Sequence, residues 1–123
     1  MRTNIYGALV MIAFSACKSR EHVSDAVVRS PEARARGRAL FMDHCALCHG
    51  DRADGNGRRR EGITGKPADF TSANWRASAT PDGVFTVIRE GKPGTSMPAW
   101  RSLEDHEIVD LTAYVLSVQA EGP

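Results

Sequence analysis

The chain has 123 residues, enough for one domain, and its 41% hydrophobic and 25% charged residues are the balance of an ordinary globular protein. The net charge of +1 excludes no partner class by itself, but no strongly basic stripe is present, so nucleic acid is not an expected partner. The charge is uneven: Lys18 to Arg76 holds 12 basic and 8 acidic side chains, and the chain from Ala77 onward holds 3 and 7. Such asymmetry steers encounter more than it fixes affinity; scattered solvated charge is the alternative reading. A domain this small has a modest core, to which a bound cofactor adds apolar volume.

Residues 1–16, "MRTNIYGALVMIAFSA", read as a signal peptide. Arg2 supplies the positive start, and Ala8 to Phe14 is an apolar run of seven, too short to span a bilayer. An uncleaved membrane-associated helix is the alternative. Cys17 follows the small residues Ser15 and Ala16, and "FSAC" resembles the lipobox of bacterial lipoproteins, with Phe14 where that pattern usually has leucine. The resemblance implies lipid on Cys17 and a protein of the bacterial periplasm held at a membrane surface. Residues 17–30 then form a polar tether in which His22 is solvated.

Three helices are expected beyond the tether. The first opens at Ser30-Pro31, serine as N-cap and proline in the first turn, and runs through Cys48. The second opens at Thr80-Pro81 and stops at Gly91; its "VFTVI" also suits a short strand, but the flanking cap and glycine favour helix. The third starts after Ser102 and runs to Gln119, with Leu103, Ile108, Leu111, Val115 and Val118 along one stripe. Between the first two lies a long irregular stretch, thirty residues from Gly50 to Ala79 with five glycines. Loops of that length need something to order them, and a large prosthetic group can do so.

The chemistry concentrates in "CALCHG", residues 45–50. Cys-x-x-Cys-His is the haem c attachment pattern. Haem carries two vinyl groups on adjacent pyrroles, and cysteines at i and i+3 share one helical face. Cys45 and Cys48 can each add to one vinyl, which places His49 to coordinate iron. Three other uses of the thiols compete with this one. A thioredoxin-like site needs a strand-to-helix junction, and no βαβ pattern is present. A structural zinc site needs a second ligand pair of suitable spacing, which is lacking. An exported chain also permits a disulfide.

With these residues in view, the chain resembles class I cytochrome c, in particular the small bacterial monohaem proteins and the cytochrome modules of respiratory complexes. Gly37, Phe41, Cys45, Cys48 and His49 match that family's N-terminal helix, Leu111 and Tyr114 match its C-terminal helix, and "TSMPAW" matches its distal loop. The likeness covers roughly residues 31–120. It implies an all-α cytochrome c fold, with about three main helices and long loops wrapped around one covalently bound haem c. It further implies Met97 as the second axial ligand to iron. Of the other methionines, Met1 and Met11 fall in the signal and Met42 lies beside the proximal motif; filling a core gap is the alternative role for Met97. His106 and His44 are rival distal ligands, disfavoured by their places in the helices. In the family a proline carbonyl orients the proximal histidine, and Pro67 is the candidate. Trp75 and Arg76 are candidate donors to a haem propionate. Arg58, Arg59 and Arg60 are read as a solvated loop, and Trp100 as packing beside the Met97 loop.

The function implied is single-electron transfer between respiratory redox proteins by a carrier rather than an enzyme, either a monomer or a subunit of a respiratory complex. Filling both axial positions leaves iron no open site for a substrate. The alternatives are a cytochrome subunit of an oxidase or dehydrogenase, a haem sensor or enzyme with an open distal site, and a thiol or zinc protein without haem.

Overall fold

The computed structural model describes residues 23–118, so the expected signal peptide, Cys17 and His22 lie outside the described residues. Six helices occur in order: α1 (Asp25–Arg29), α2 (Pro31–His44), α3 (Ala46–His49), α4 (Ala73–Ser78), α5 (Pro81–Glu90) and α6 (Asp105–Ser117). There is no strand among the described residues, and "VFTVI" lies within α5. The three longest helices are the three that the sequence leads one to expect.

Their ends follow from capping chemistry. The Ser30 hydroxyl accepts from the Ala33 amide at 3.2 Å ahead of Pro31, and the Thr80 hydroxyl accepts from the Gly83 amide at 3.2 Å ahead of Pro81. α5 stops at Gly91, which takes a φ of 71° and donates its amide to Val87. α6 begins later than expected. Glu104 and Glu107 form a capping box there, with Glu107 Oε2 accepting the Glu104 amide at 2.9 Å. Ser102 loses the capping role because Leu103 is drawn into the core, at 8% exposure.

α2 and α6 pack face to face and form the centre of the molecule. Gly37 makes the crossing possible, because a Cβ there would run into the Asp110 carbonyl and sit 2.9 Å from the Tyr114 Cβ. Around that contact Phe41, Ile108, Leu111 and Val115 are buried, each contributing roughly 1.5–3 kcal/mol by leaving water. The Phe41 and Tyr114 rings meet at 5.1 Å between centroids. At the rim, the Arg36 guanidinium grips the Asp110 carboxylate with two bonds of 2.6 and 2.9 Å. Arg89 of α5 ties that helix to α6 through the Leu103 carbonyl, at 2.9 Å, and the Asp105 carboxylate.

Three local expectations are corrected. The tether of residues 17–30 is in part folded: α1 packs against α6 and α2, and Val23 is buried at 2%. The Val23 amide donates to Asp82 Oδ1 at 3.0 Å, and Arg34 Nε donates to the Val28 carbonyl at 2.8 Å. A five-residue helix is too short to display an apolar period, so its valines gave no stripe to read. The first long helix does not run unbroken through Cys48; it breaks at Cys45, where φ is −115°, and restarts as α3. The loop from Gly50 to Ala79 is not wholly irregular, since it contains α4 and folds back along the motif. Gly55, Gly57 and Arg59 donate their amides to the carbonyls of His49, Cys48 and Leu47 at 2.7, 3.1 and 2.9 Å. Gly57 can lie there because a side chain would strike the Cys48 and Leu47 backbone.

Candidate haem site

The break at Cys45 and the four residues of α3 place Cys45, Cys48 and His49 close together at the end of α2. Both cysteines are free and half-buried. Burial, reinforced by the nearby Cys48, pushes the Cys45 thiol up to about 12. No group of three or more His, Cys, Asp or Glu among the described residues forms a candidate metal cage. Both thiols are free for thioether formation with a porphyrin vinyl.

His49 has two aromatic neighbours. Its ring stacks on Phe70 at 4.8 Å and 20°, and Phe41 lies tilted at 6.4 Å. Burial holds its pKa below the ordinary histidine value, partly offset by a hydrogen bond to the Ala68 carbonyl, so the ring is neutral at neutral pH. The Nδ1 nitrogen lies 3.2 Å from that carbonyl oxygen. A carbonyl can only accept, so Nδ1 carries the proton and Nε2 keeps its lone pair free for iron. The acceptor is therefore Ala68 and not Pro67, the residue expected from the sequence. The Pro67 carbonyl lies instead against Gly55, 2.9 Å from where a Cβ there would sit. The choice between two successive carbonyls depends on how the loop turns over the motif, which residue type does not reveal.

Met97 is half-buried in the loop between α5 and α6. Its amide donates to Thr95 Oγ1 at 3.2 Å, and its carbonyl accepts from the Lys92 amide at 3.2 Å. Gly91 lies directly beneath, where a Cβ would come within 2.8 Å of the Met97 carbonyl oxygen. Beyond Met97, the Trp100 amide donates to the Ile88 carbonyl at 3.0 Å, and the Trp100 ring meets His44 at 5.2 Å. The residue offered as packing beside the distal loop thus joins that loop to α2. His44 and His106 are exposed, as are Arg58, Arg59 and Arg60. Trp75 packs edge-on against Phe70 at 4.7 Å, and Arg76 Nη1 donates to the Thr71 carbonyl at 2.9 Å. Trp75 is thus linked to His49 through one shared ring.

Phe70 and Ala68 are not found by reading the sequence. Phe70 had one available signal: it is the only aromatic residue between His49 and Trp75. The proximal donors fit haem c: two free thiols and an imidazole with one open nitrogen. Half-buried apolar side chains, among them Leu40, Phe70, Trp75, Phe85 and Trp100, pack on the buried core with part of their surface left uncovered. Such surface suits a large flat apolar group.

Comparison with known proteins agrees with this geometry. The family described as cytochrome c oxidase, cbb3-type, subunit III matches residues 32–115. The cbb3-type cytochrome c oxidase subunit FixPc of Rhizobium leguminosarum bv. viciae is 35% identical over 83 residues, which cover 67% of this chain and 26% of that subunit. Cytochrome c55X of Stutzerimonas stutzeri is 30% identical over 86 residues, covering 68% of this chain and 62% of that protein. A chain of the reducing HAO-like protein complex of Kuenenia stuttgartiensis superposes with a TM-score of 0.67 at 27% identity, covering 73% of this chain and 45% of that one. The chain thus spans about a quarter of the length of the oxidase subunits it matches, 26% and 27% in two of them. On the strength of the family match and the donor set, this chain belongs to the haem c-binding cytochrome c family described as cytochrome c oxidase, cbb3-type, subunit III.

Proposed function

We propose that the protein carries single electrons between redox protein partners of a respiratory chain, with His49 and Met97 as the axial ligands of its iron. The observation that carries this reading is the half-buried His49 ring, held at Nδ1 by the Ala68 carbonyl, beside two free thiols. Haem c bound there supplies a one-electron Fe(II)/Fe(III) couple, which thioether ligation biases toward the ferrous form. The chain's own residues do the rest. Cys45 and Cys48 hold the group covalently, the Ala68 carbonyl fixes the imidazole plane, and Phe41 and Phe70 keep water from the ring. Met97 would supply the second donor to the iron. Trp75 and Arg76 remain proposed propionate partners. No acid, base or nucleophile is required by this reading.

A second reading, as a subunit of an oxidase complex, is favoured by the relatives named as cbb3-type oxidase subunits. Copurification from native membranes distinguishes it from a mobile carrier. We also propose export to the periplasm and lipid attachment at Cys17. This rests on the sequence of residues 1–17, and no helix among the described residues is long and apolar enough to cross a membrane.

The test of the main reading is an optical spectrum of the protein made with a haem c maturation system, oxidised and dithionite-reduced. Sharp reduced bands with a weak far-red methionine-to-iron band are expected. A high-spin spectrum with strong carbon monoxide binding would shift the reading to a sensor or enzyme. Absence of covalent haem would overturn it.

A further inference from the structure

One short segment touches both halves of the site. At its end, Ala68 accepts the hydrogen bond from His49 Nδ1 at 3.2 Å. Four residues earlier, Thr64 meets Ser96, the neighbour of Met97, in both directions. The Ser96 amide donates to the Thr64 carbonyl at 2.8 Å, and the Thr64 amide donates to Ser96 Oγ at 2.8 Å. Gly65, at a φ of 84°, lies flush against Thr95, whose Cβ and Cγ2 would be 3.2 Å from a Cβ at that position. Among the described residues, every other hydrogen bond of residues 92–97 stays inside that loop: Lys92 to Met97, Thr95 to Lys92 twice, and Met97 to Thr95. The Thr64–Ser96 clasp is therefore the hydrogen-bonded tie between the body of this loop and the rest of the fold.

The loop has the means to swing if that tie is lost. Gly91 and Gly94 both take positive φ, at 71° and 77°, and exposed loops with few outside contacts open at low free-energy cost. A thioether is a weak neutral donor, so its hold on a metal depends on how firmly its backbone is placed. We infer that residues 64–68 act as a strap that joins the positions of the two axial ligands, and that Ser96 is a positioning residue keeping Met97 at the iron. This rests on the proposed ligation by Met97. The strap holds the imidazole at one end and the methionine loop at the other, so displacement of Met97 requires the clasp to break.

The test uses the haem-loaded full chain as wild type, Ser96→Ala, Ser96→Thr and Met97→Ala. Ferric protein is titrated with imidazole while the far-red band is followed, and each variant is melted thermally. Ser96→Ala removes the acceptor of the Thr64 amide but keeps the backbone bond. Loss of one such exposed bond is expected to tighten imidazole binding about threefold. Ser96→Thr, which keeps the hydroxyl, restores wild-type binding, and Met97→Ala lacks the band altogether. Wild-type imidazole affinity in Ser96→Ala, with Met97→Ala behaving as stated, overturns the strap even if the melting temperature falls. An unchanged band and affinity in Met97→Ala shows instead that the ligand assignment is wrong, and the strap falls with it.

Discussion

His49 divides its two nitrogens between two roles. Nδ1 is spent on the Ala68 carbonyl, and Nε2 is left for the proposed bond to iron. The stacked Phe70 and tilted Phe41 restrict the ring to one plane. If Met97 is the second iron ligand, as proposed, Met97→Ala should open the iron to exogenous ligands. The potential should fall by on the order of a tenth or more of the roughly 0.8 V range that axial ligands span. Redox titration with carbon monoxide binding checks this, and an unchanged potential would show that Met97 is not a ligand. A different kind of residue sits at Thr112, which is fully buried and whose Oγ1 finds no partner among the described residues. An unsatisfied buried hydroxyl is destabilising, so the isosteric Thr112→Val should stabilise by about 1 kcal/mol. That corresponds to a rise of roughly 4–8 °C in the thermal melt for a domain of this size. At this scale the covalent and axial candidates could be read as letters, because reactivity belongs to the side chain itself. Ala68 could not, because its contribution is a carbonyl, which every residue has.

Among the elements, the α2–α6 crossing shows how packing overrides propensity. Exposed in an isolated helix, Gly37→Ala would gain about 1 kcal/mol. Here the new methyl meets the Asp110 carbonyl and the Tyr114 Cβ. Overpacking against backbone cannot be relieved by a rotamer change, so a net loss of about 2 kcal/mol or more is expected in chemical denaturation. A variant at or above wild-type stability would mean that the helices separate without cost. The starts of α2 and α5 were legible because Ser-Pro and Thr-Pro act locally, each hydroxyl reaching an amide within three residues. α1 was not legible, since its stability comes from Val23 buried against other elements and from the bond to Asp82, fifty-nine positions away. α4 was hidden for a similar reason. It has no side-chain cap bond, and Trp75 packs on Phe70 and the core.

At the scale of the whole molecule, the folded part begins at least as early as Val23, leaving Cys17 only a few residues away along the chain. If Cys17 is acylated, Cys17→Ser should move the protein from the membrane fraction to the soluble fraction with its haem spectrum intact. Fractionation of cells expressing both forms checks this, and unchanged membrane association would sink the anchor. Three backbone bonds tie the loop from Gly50 onward to residues 47–49, so the segment that looked structureless folds back on the attachment motif. The sequence by itself determined the cofactor chemistry, the fold class and the three long helices, since a CxxCH motif, hydroxyl-proline caps and a helical apolar stripe all act over a few residues. Only the tertiary structure decided which carbonyl orients His49, which ring stacks on it, and how residues 64–68 reach both Ser96 and His49. Those contacts join positions nineteen and thirty-two residues apart, and such pairings are set by how loops close over a packed core.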